Sequence, residues 1–246
     1  MDVANFLQMF ERTPIALHQD YLCRVLRTAI EIMRSDSGIN LAGSRYGGSP
    51  DLPKGFEWPT HQLGLYRFLA QFNFAEIPQV NAGLPERGLL SLFVADDPDG
   101  ESELFWGDPG YIHAEFFSDI TKLVPNVPPD SVARGSSCTI TFRQTFDLPF
   151  DEYQVDEWPF QTDELCAFYD DLRNALHQSN DYLLGYPSHC SLAYDPTPGV
   201  EWISLFTANS DDELDWSWHD GDQLMIFIEI ERLKKHDFSN LRSDAG

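Results

Sequence analysis

Residues 44–94 place strong breakers of regular structure directly before strong strand formers, and that order limits the folds open to the chain. The segment S-R-Y-G-G-S-P-D-L-P-K-G-F-E-W-P, from Ser44 to Pro59, contains Gly47, Gly48 and Gly55 with Pro50, Pro53 and Pro59. Its prolines exclude a regular strand and its glycines admit positive φ, so it is expected to be an ordered loop. In residues 68–74, Phe68, Ala70, Phe72 and Phe74 share one face while Leu69, Gln71 and Asn73 share the other. That alternation predicts a strand with one buried face. Residues 89–95 form a near-continuous apolar run, which predicts a strand buried on both faces, with Pro85-Glu86-Arg87-Gly88 as its turn. The pair Gly47-Gly48 is no phosphate cradle, because no Lys-Ser/Thr follows and no G-x-G-x-x-G opens a helix.

The rest of the chain supplies both element types. Residues 2–34 read as helical. Phe6, Met9 and Phe10 lie at helical spacing, and Thr13-Pro14 offers an N-cap followed by Pro at the first helical position. Leu22, Val25, Leu26, Ala29, Ile30 and Met33 then continue as one apolar stripe of a surface helix. Residues 15–18 fit a short strand before a shorter helix equally well. Further strands are predicted over 111–117, 139–146, 202–208 and 223–230, and a helix over 164–178, with a Pro-rich loop at 125–129. The polar tail after Phe238 is expected to fray. The expected class is α+β, with antiparallel β-sheets and N-terminal helices packed on a sheet.

A weak internal repeat runs through the strands. Gln71 and Asn73 align with Thr207 and Asn209, and Leu90 and Phe93 align with Leu224 and Phe227. We therefore expect one domain over 1–246 with pseudo-repeats at about 40–146 and 180–235. Coincidence between apolar runs is the alternative.

Charge narrows the function. Sixteen Lys plus Arg oppose forty Asp plus Glu, a net charge of −24. Such a field repels phosphate backbones and anionic bilayers, which disfavours nucleic acid and membrane surfaces as partners. It speeds encounter with cations or a basic protein, although acidity also serves solubility alone. No apolar run approaches the roughly 20 residues of a membrane span, and the N-terminus lacks the pattern of a secretory signal. Cytoplasmic localisation is expected. Cys23, Cys138, Cys166 and Cys190 form no C-x-x-C pair and read as reduced thiols.

Three stretches together resemble the YwqG-like bacterial proteins, a domain of unknown function. The first is Ser44-Arg45-Tyr46-Gly47-Gly48-Ser49-Pro50-Asp51-Leu52-Pro53 with Trp58-Pro59. The second is F-L-A-Q-F-N-F-A-E-I-P, residues 68–78, with Leu84-Pro85-Glu86-Arg87-Gly88-Leu89-Leu90. The third is Leu184-Gly185-Tyr186-Pro187 with Trp202 and W-H-D-G-D-Q-L-M-I-F-I, residues 218–228. The resemblance implies antiparallel sheets with a repeated half, and it implies no activity. The C-terminal half departs from the family pattern. Thr207 and Asn209 stand where a Gln and an Asp are usual, and Ser188-His189-Cys190 where a Gln often follows.

No catalytic constellation emerges. The seven histidines show neither H-x-x-x-H nor H-E-x-x-H, so no metal and no cofactor is expected. His189 and Cys190 are adjacent, which does not make a nucleophile and its base. The acidic run from Asp96 to Glu101 has Ala95 and Trp106 at the terminal ligand positions of a calcium loop, and in residues 211–222 Gly221 falls too late. Residues 147–171 carry nine acids and no Lys or Arg, interleaved with Phe150, Tyr153, Trp158 and Phe160. Aromatics anchor and carboxylates steer, so Asp151, Glu152, Tyr153, Asp156, Glu157 and Trp158 form a candidate interface for a basic protein. The expected role is an interaction protein that neutralises such a partner, as immunity proteins neutralise cationic nuclease toxins. The alternative is a small-ligand binder or enzyme with a pocket near the Ser44 to Pro59 loop, built on Arg45, Trp58, Gln71 and Asp220. Within that motif Arg45 is expected chiefly to brace the loop by bonding carbonyls.

Overall fold

The computed structural model describes residues 2–96, 104–188 and 191–246. Two short helices open it, α1 (Val3–Gln8) and α2 (Gln19–Val25), with a 3-10 turn at Pro14–His18 between them. The expected helix over 2–34 then stops, and Arg27–Ser35 is a strand, β1. The stripe of Ala29, Ile30 and Met33 satisfies helical periodicity. The chain nevertheless buries Ala29, Ile30 and Ile32 together, because β1 is paired on both sides and covered on both faces. Non-local packing of β-branched residues overrides a local period here. Glu31, on the polar side of the expected helix, is fully buried. It accepts hydrogen bonds from the Arg143 guanidinium at 2.7 Å and from the Ser179 N–H at 2.7 Å.

The elements that follow are β2 (Arg45–Tyr46), β3 (Asp51–Pro53), β4 (Thr60–His61), β5 (Gly64–Leu65), β6 (Arg67–Asn73), β7 (Leu89–Val94), β8 (Ile112–Phe117), β9 (Leu123–Pro125) and β10 (Cys138–Asp147). Then come α3 (Asp163–Leu176), β11 (Tyr182–Leu184), β12 (Trp202–Asn209), β13 (Gln223–Glu229), α4 (Ile230–Leu233) and β14 (Leu241–Ala245). Segment 44–59 is thus more regular than its prolines suggested, since β2 and β3 form within it. β6 is buried on both faces rather than one, because residues 42–51 cover the face carrying Gln71 and Asn73. The tail does not fray: β14 pairs with β13 from Leu241↔Ile228 to Ala245↔Leu224.

Ten strands form one antiparallel sheet in the order β14-β13-β12-β11-β1-β10-β2-β6-β7-β8. The order is palindromic about β1 and β10, and the registers match across it. Gln71 faces Ser91 as Thr207 faces Met225, and Asn73 faces Leu89 as Asn209 faces Gln223. The pairing shifts between Phe68 and Ala70 in one half and between Ser204 and Phe206 in the other, at matching steps of the two ladders. β1 pairs with β11, and β10 pairs with β2.

The sheet curls until β8 and β14 approach each other. Its interior is the main core, where Phe72 and Tyr46 meet Phe206 at ring distances of 5.1 and 6.1 Å. A second core lies outside, where Phe6, Phe10, Ile15 and Leu22 pack with Phe160, Tyr169, Leu172 and Leu176 against Phe146. The N-terminal helices therefore do sit on the sheet, as expected.

Candidate functional site

The segment joining β2 to β3 turns through Gly47 (φ +57°) and Gly48 (φ +71°). A Cβ on Gly47 would come within 2.2 Å of the Ser136 carbonyl, so no side chain fits. The turn delivers Asp51 beneath β6, where Asp51 and Arg45 are 1% and 3% exposed. The Asp51 carboxylate receives the Arg45 guanidinium at 2.9 Å, the Ala42 N–H at 2.7 Å and the Gln71 amide at 3.0 Å. Arg45 also donates to the Ser49 carbonyl at 2.6 and 3.1 Å, and Gln71 accepts the Asp51 N–H at 2.9 Å. Asn73 and Ser44 extend the network through the Ala42 carbonyl and the Asn73 N–H.

Arg45 and Gln71 are thus brought together, but through Asp51 and in a closed brace. Trp58 lies apart, donating its indole N–H to the Tyr66 carbonyl at 2.7 Å and packing on Phe93. Asp220 is elsewhere again, with a side chain 94% exposed beside His219. The neighbouring hollow of about 290 Å³ is lined by Asn40, Ser44, Glu76 and Thr139 instead.

The other half carries a similar turn, in which Tyr182 and Thr207 stand where Arg45 and Gln71 do. Leu184 (φ +64°) and Gly185 (φ +73°) turn the chain where Gly47 and Gly48 do. Tyr182, paired to Thr207, donates its hydroxyl to the Tyr186 carbonyl at 2.7 Å, as Arg45 bonds Ser49. Burial raises the Tyr182 hydroxyl pKa well above its ordinary value, so it stays a donor. Asp147 accepts the Tyr186 N–H at 2.7 Å and the Leu148 N–H at 2.9 Å, and lies 3.1 Å from His177 Nε2.

The acidic stretch 147–171 builds a cleft. Its residues Tyr153, Asp156 and Glu157 form one wall of a cavity of about 640 Å³, faced by Arg24, Arg27 and Asp195. A hollow of about 410 Å³ continues it past Arg27, Tyr186 and Trp202. Both guanidiniums are occupied: Arg24 pairs with Glu157 at 2.6 Å, and Arg27 lies 3.7 Å above the Tyr186 ring. Tyr153 is 53% exposed and Val200 99% exposed at the rim. Asp151 accepts the Tyr153 N–H at 2.9 Å, which pins the 3-10 turn Glu152–Gln154 carrying that ring. Trp158 is placed differently from the rest of the candidate interface. Its ring is edge-on to Phe160 at 5.3 Å and to Tyr169 at 4.9 Å, so it belongs to the second core.

Sequence reasoning missed Arg24, Arg27, Asp195 and Val200 as cleft residues. The Leu184-Gly185-Tyr186-Pro187 motif was the available signal, since it sets Tyr186 in the floor.

Among the described residues no group of three or more His, Cys, Asp or Glu side chains converges on one point. In the loop 211–222, Asp211 pairs with Arg34, and Asp222 accepts the Ser191 hydroxyl at 3.0 Å. His189, Cys190 and the run from Asp97 to Glu101 lie outside the described residues. No helix among those described is long and apolar enough to cross a membrane.

The brace and its turn are the first elements of a longer pattern. A family model described as a domain of unknown function, DUF1963, matches residues 44–244, from the brace to β14. The chain belongs to the DUF1963 family. In this member the matched region holds every strand of the sheet except β1, the strand that completes it from outside. No curated protein matches the chain.

Proposed function

We propose that this DUF1963 protein is a non-enzymatic binding protein that captures a basic segment of a partner protein in the Tyr153 cleft. The observation that carries this reading is the fold of the acidic stretch, which sets Tyr153, Asp156 and Glu157 along one wall of a 640 Å³ cleft in a chain of charge −24. Carboxylates around an exposed aromatic steer a cation and then give it a surface to bury. A toxin-neutralising role suits this chemistry, because a nuclease must itself be cationic to hold nucleic acid. The pocket reading at the Ser44 to Pro59 loop has less support, since Arg45 and Gln71 spend their donors on internal acceptors. Within the family we infer a YwqG-like member on the three motif stretches. We place it in the cytoplasm, where Cys23, Cys138 and Cys166 remain free thiols.

The test is capture of partners from the source cell at low and high salt, followed by kinetics against the captured protein and a Lys/Arg-rich peptide. Neutralising Asp151, Glu152, Asp156 and Glu157 should slow association most at 0.01 M salt, where the Debye length is about 30 Å. Tyr153→Ala should speed dissociation, at a cost of about 2 kcal/mol if it anchors the complex. Kinetics unchanged by both sets of substitutions would overturn the reading.

We further infer that the chain is one folding unit made by duplication, with units at about 27–117 and 138–245 rather than the 40–146 and 180–235 expected from the sequence, and with their first strands exchanged. Fragments 1–125 and 126–246 should then fold only when mixed. Independent folding of either fragment would refute the exchange.

A further inference from the structure

The Leu84-Pro85-Glu86-Arg87-Gly88 motif takes no part in the Tyr153 cleft. It ends the connection from β6 to β7, and the connection from β13 to β14 lies against it: a Cβ on Gly83 would sit 3.7 Å from Lys234 Cγ. Between the two connections opens a cleft of about 510 Å³, lined by Leu84, Pro85, Arg87, Phe116, Lys234 and His236. Its floor is held in place. Phe116 packs on Phe238 at 5.4 Å and on Phe74 at 5.9 Å. Gly88, at φ +110°, passes so near that a Cβ would lie 2.7 Å from the Phe116 ring.

The walls run against the composition of the chain. Lys and Arg number 16 against 40 acids, yet Arg87, Lys234 and His236 surround this cleft with Glu86 as its single carboxylate. Lys234 is paired to Glu231 at 2.6 Å, whereas Arg87 makes no ion pair among the described residues.

The palindromic sheet offers an internal comparison. In the other half, the equivalent place lies between the β12–β13 and β7–β8 connections. There Trp106 has its ring 5.7 Å from His219 and its carbonyl accepts the Ser243 hydroxyl at 2.5 Å. The neighbouring charges are Asp220 and Asp222. One place thus carries an indole beside acids, and its counterpart is a cleft floored by a phenyl ring and flanked by Arg87 and Lys234.

We infer that the Arg87 cleft binds a small organic anion with a flat apolar body. The apolar part lies on Phe116, Leu84 and Pro85, and the anionic group meets Arg87 and His236. The volume suits a small molecule, whose sites run from about 300 to 1,000 Å³. The −24 field repels polyanions and anionic bilayers, which leaves a low-charge ligand as the occupant.

The probe is 1-anilinonaphthalene-8-sulfonate, titrated into the full chain by fluorescence and followed by amide NMR, with neutral N-phenyl-1-naphthylamine as comparison. One saturable site is expected, shifting the amides of Gly83, Arg87, Ser118 and His236. Arg87→Glu should weaken the sulfonate at least tenfold and the neutral probe less than twofold. Phe116→Leu should weaken both, and Asp220→Asn neither. Arg87 is exposed, so the charge reversal should leave Tm unchanged. If it unfolds the chain, the salt dependence of sulfonate binding to the wild type decides, and a flat response refutes the anion contact. Shifts confined to other surfaces, an affinity unmoved by Arg87→Glu in folded protein, or equal affinity for the neutral probe would each overturn the inference.

Discussion

Asp51→Ala tests the brace most directly. The substitution leaves the Arg45 guanidinium, on a residue 3% exposed, without its carboxylate. It also removes the acceptor of the Ala42 N–H, at 2.7 Å, and one acceptor of the Gln71 amide, at 3.0 Å. Stranding one member of a buried ion pair costs about 3–5 kcal/mol. Against a typical total of about 5–15 kcal/mol, that is a large share of the stability. For a chain of this length each kcal/mol lowers Tm by roughly 2–4 °C, so a fall of roughly 6–20 °C is expected. The double variant Arg45→Met with Asp51→Leu removes both charges, and it should recover much of the loss. About 1–3 kcal/mol should persist, because the Ala42 N–H stays buried without a partner. Arg134→Ala, at an exposed pair with Asp130, should change little and serves as the control. Urea unfolding followed by tryptophan fluorescence, with m-values compared, measures all four chains. An Asp51→Ala cost below about 1 kcal/mol at unchanged m, or a double variant weaker than the single, would refute the reasoning.

Further outcomes follow from other buried groups. Burial raises the Asp181 carboxyl above the ordinary range, offset in part by the Asn209 N–H at 2.9 Å, the Tyr46 hydroxyl and Arg34. The native state therefore holds that proton more tightly than the unfolded chain does, so its contribution is full below about pH 4 and is lost as pH rises through the folded value. Asp181→Asn should gain on the wild type in urea melts between pH 4 and pH 7, and an equal difference at both would count against this sign. Ending the chain at Asn240 removes β14 and bares the edge of β13; lower Tm and concentration-dependent association are expected by calorimetry and light scattering. Elemental analysis of purified protein should find no stoichiometric zinc or calcium, as the histidine spacing and the two acidic loops indicate.

Strand positions were legible wherever alternation or an unbroken apolar run was strong, as at β6, β7, β8, β10, β12 and β13, because alternation marks one buried face and an unbroken run marks two. β1 was not legible. Ala29, Ile30 and Met33 satisfy a helical period as well as a strand, and only pairing with β10 and β11, remote in sequence, decides between them. β14 was hidden for a related reason: L-R-S-D-A is a weak apolar pattern that becomes a strand because β13 offers it an edge. At the candidate sites, the sequence disclosed that Arg45 and Gln71 mattered but not that Asp51 joins them, since a carboxylate in a Pro-rich loop reads as solvated. It likewise marked residues 151–158 as a surface without showing that Trp158 turns inward. The two halves explain why motif strength and accessibility need not coincide. Where the motif is strongest, its polar groups satisfy one another and close the space. In the other half, where Tyr182 and Thr207 replace Arg45 and Gln71, the Tyr182 hydroxyl and the Asp147 carboxylate hold the corresponding turn. The accessible clefts are lined instead by connections between strands, and there the Arg87 turn and the 3-10 turn of Tyr153 present opposite charge to solvent. Specific recognition by this chain is therefore expected from its loops, while the conspicuous Arg45 motif holds the sheet that positions them.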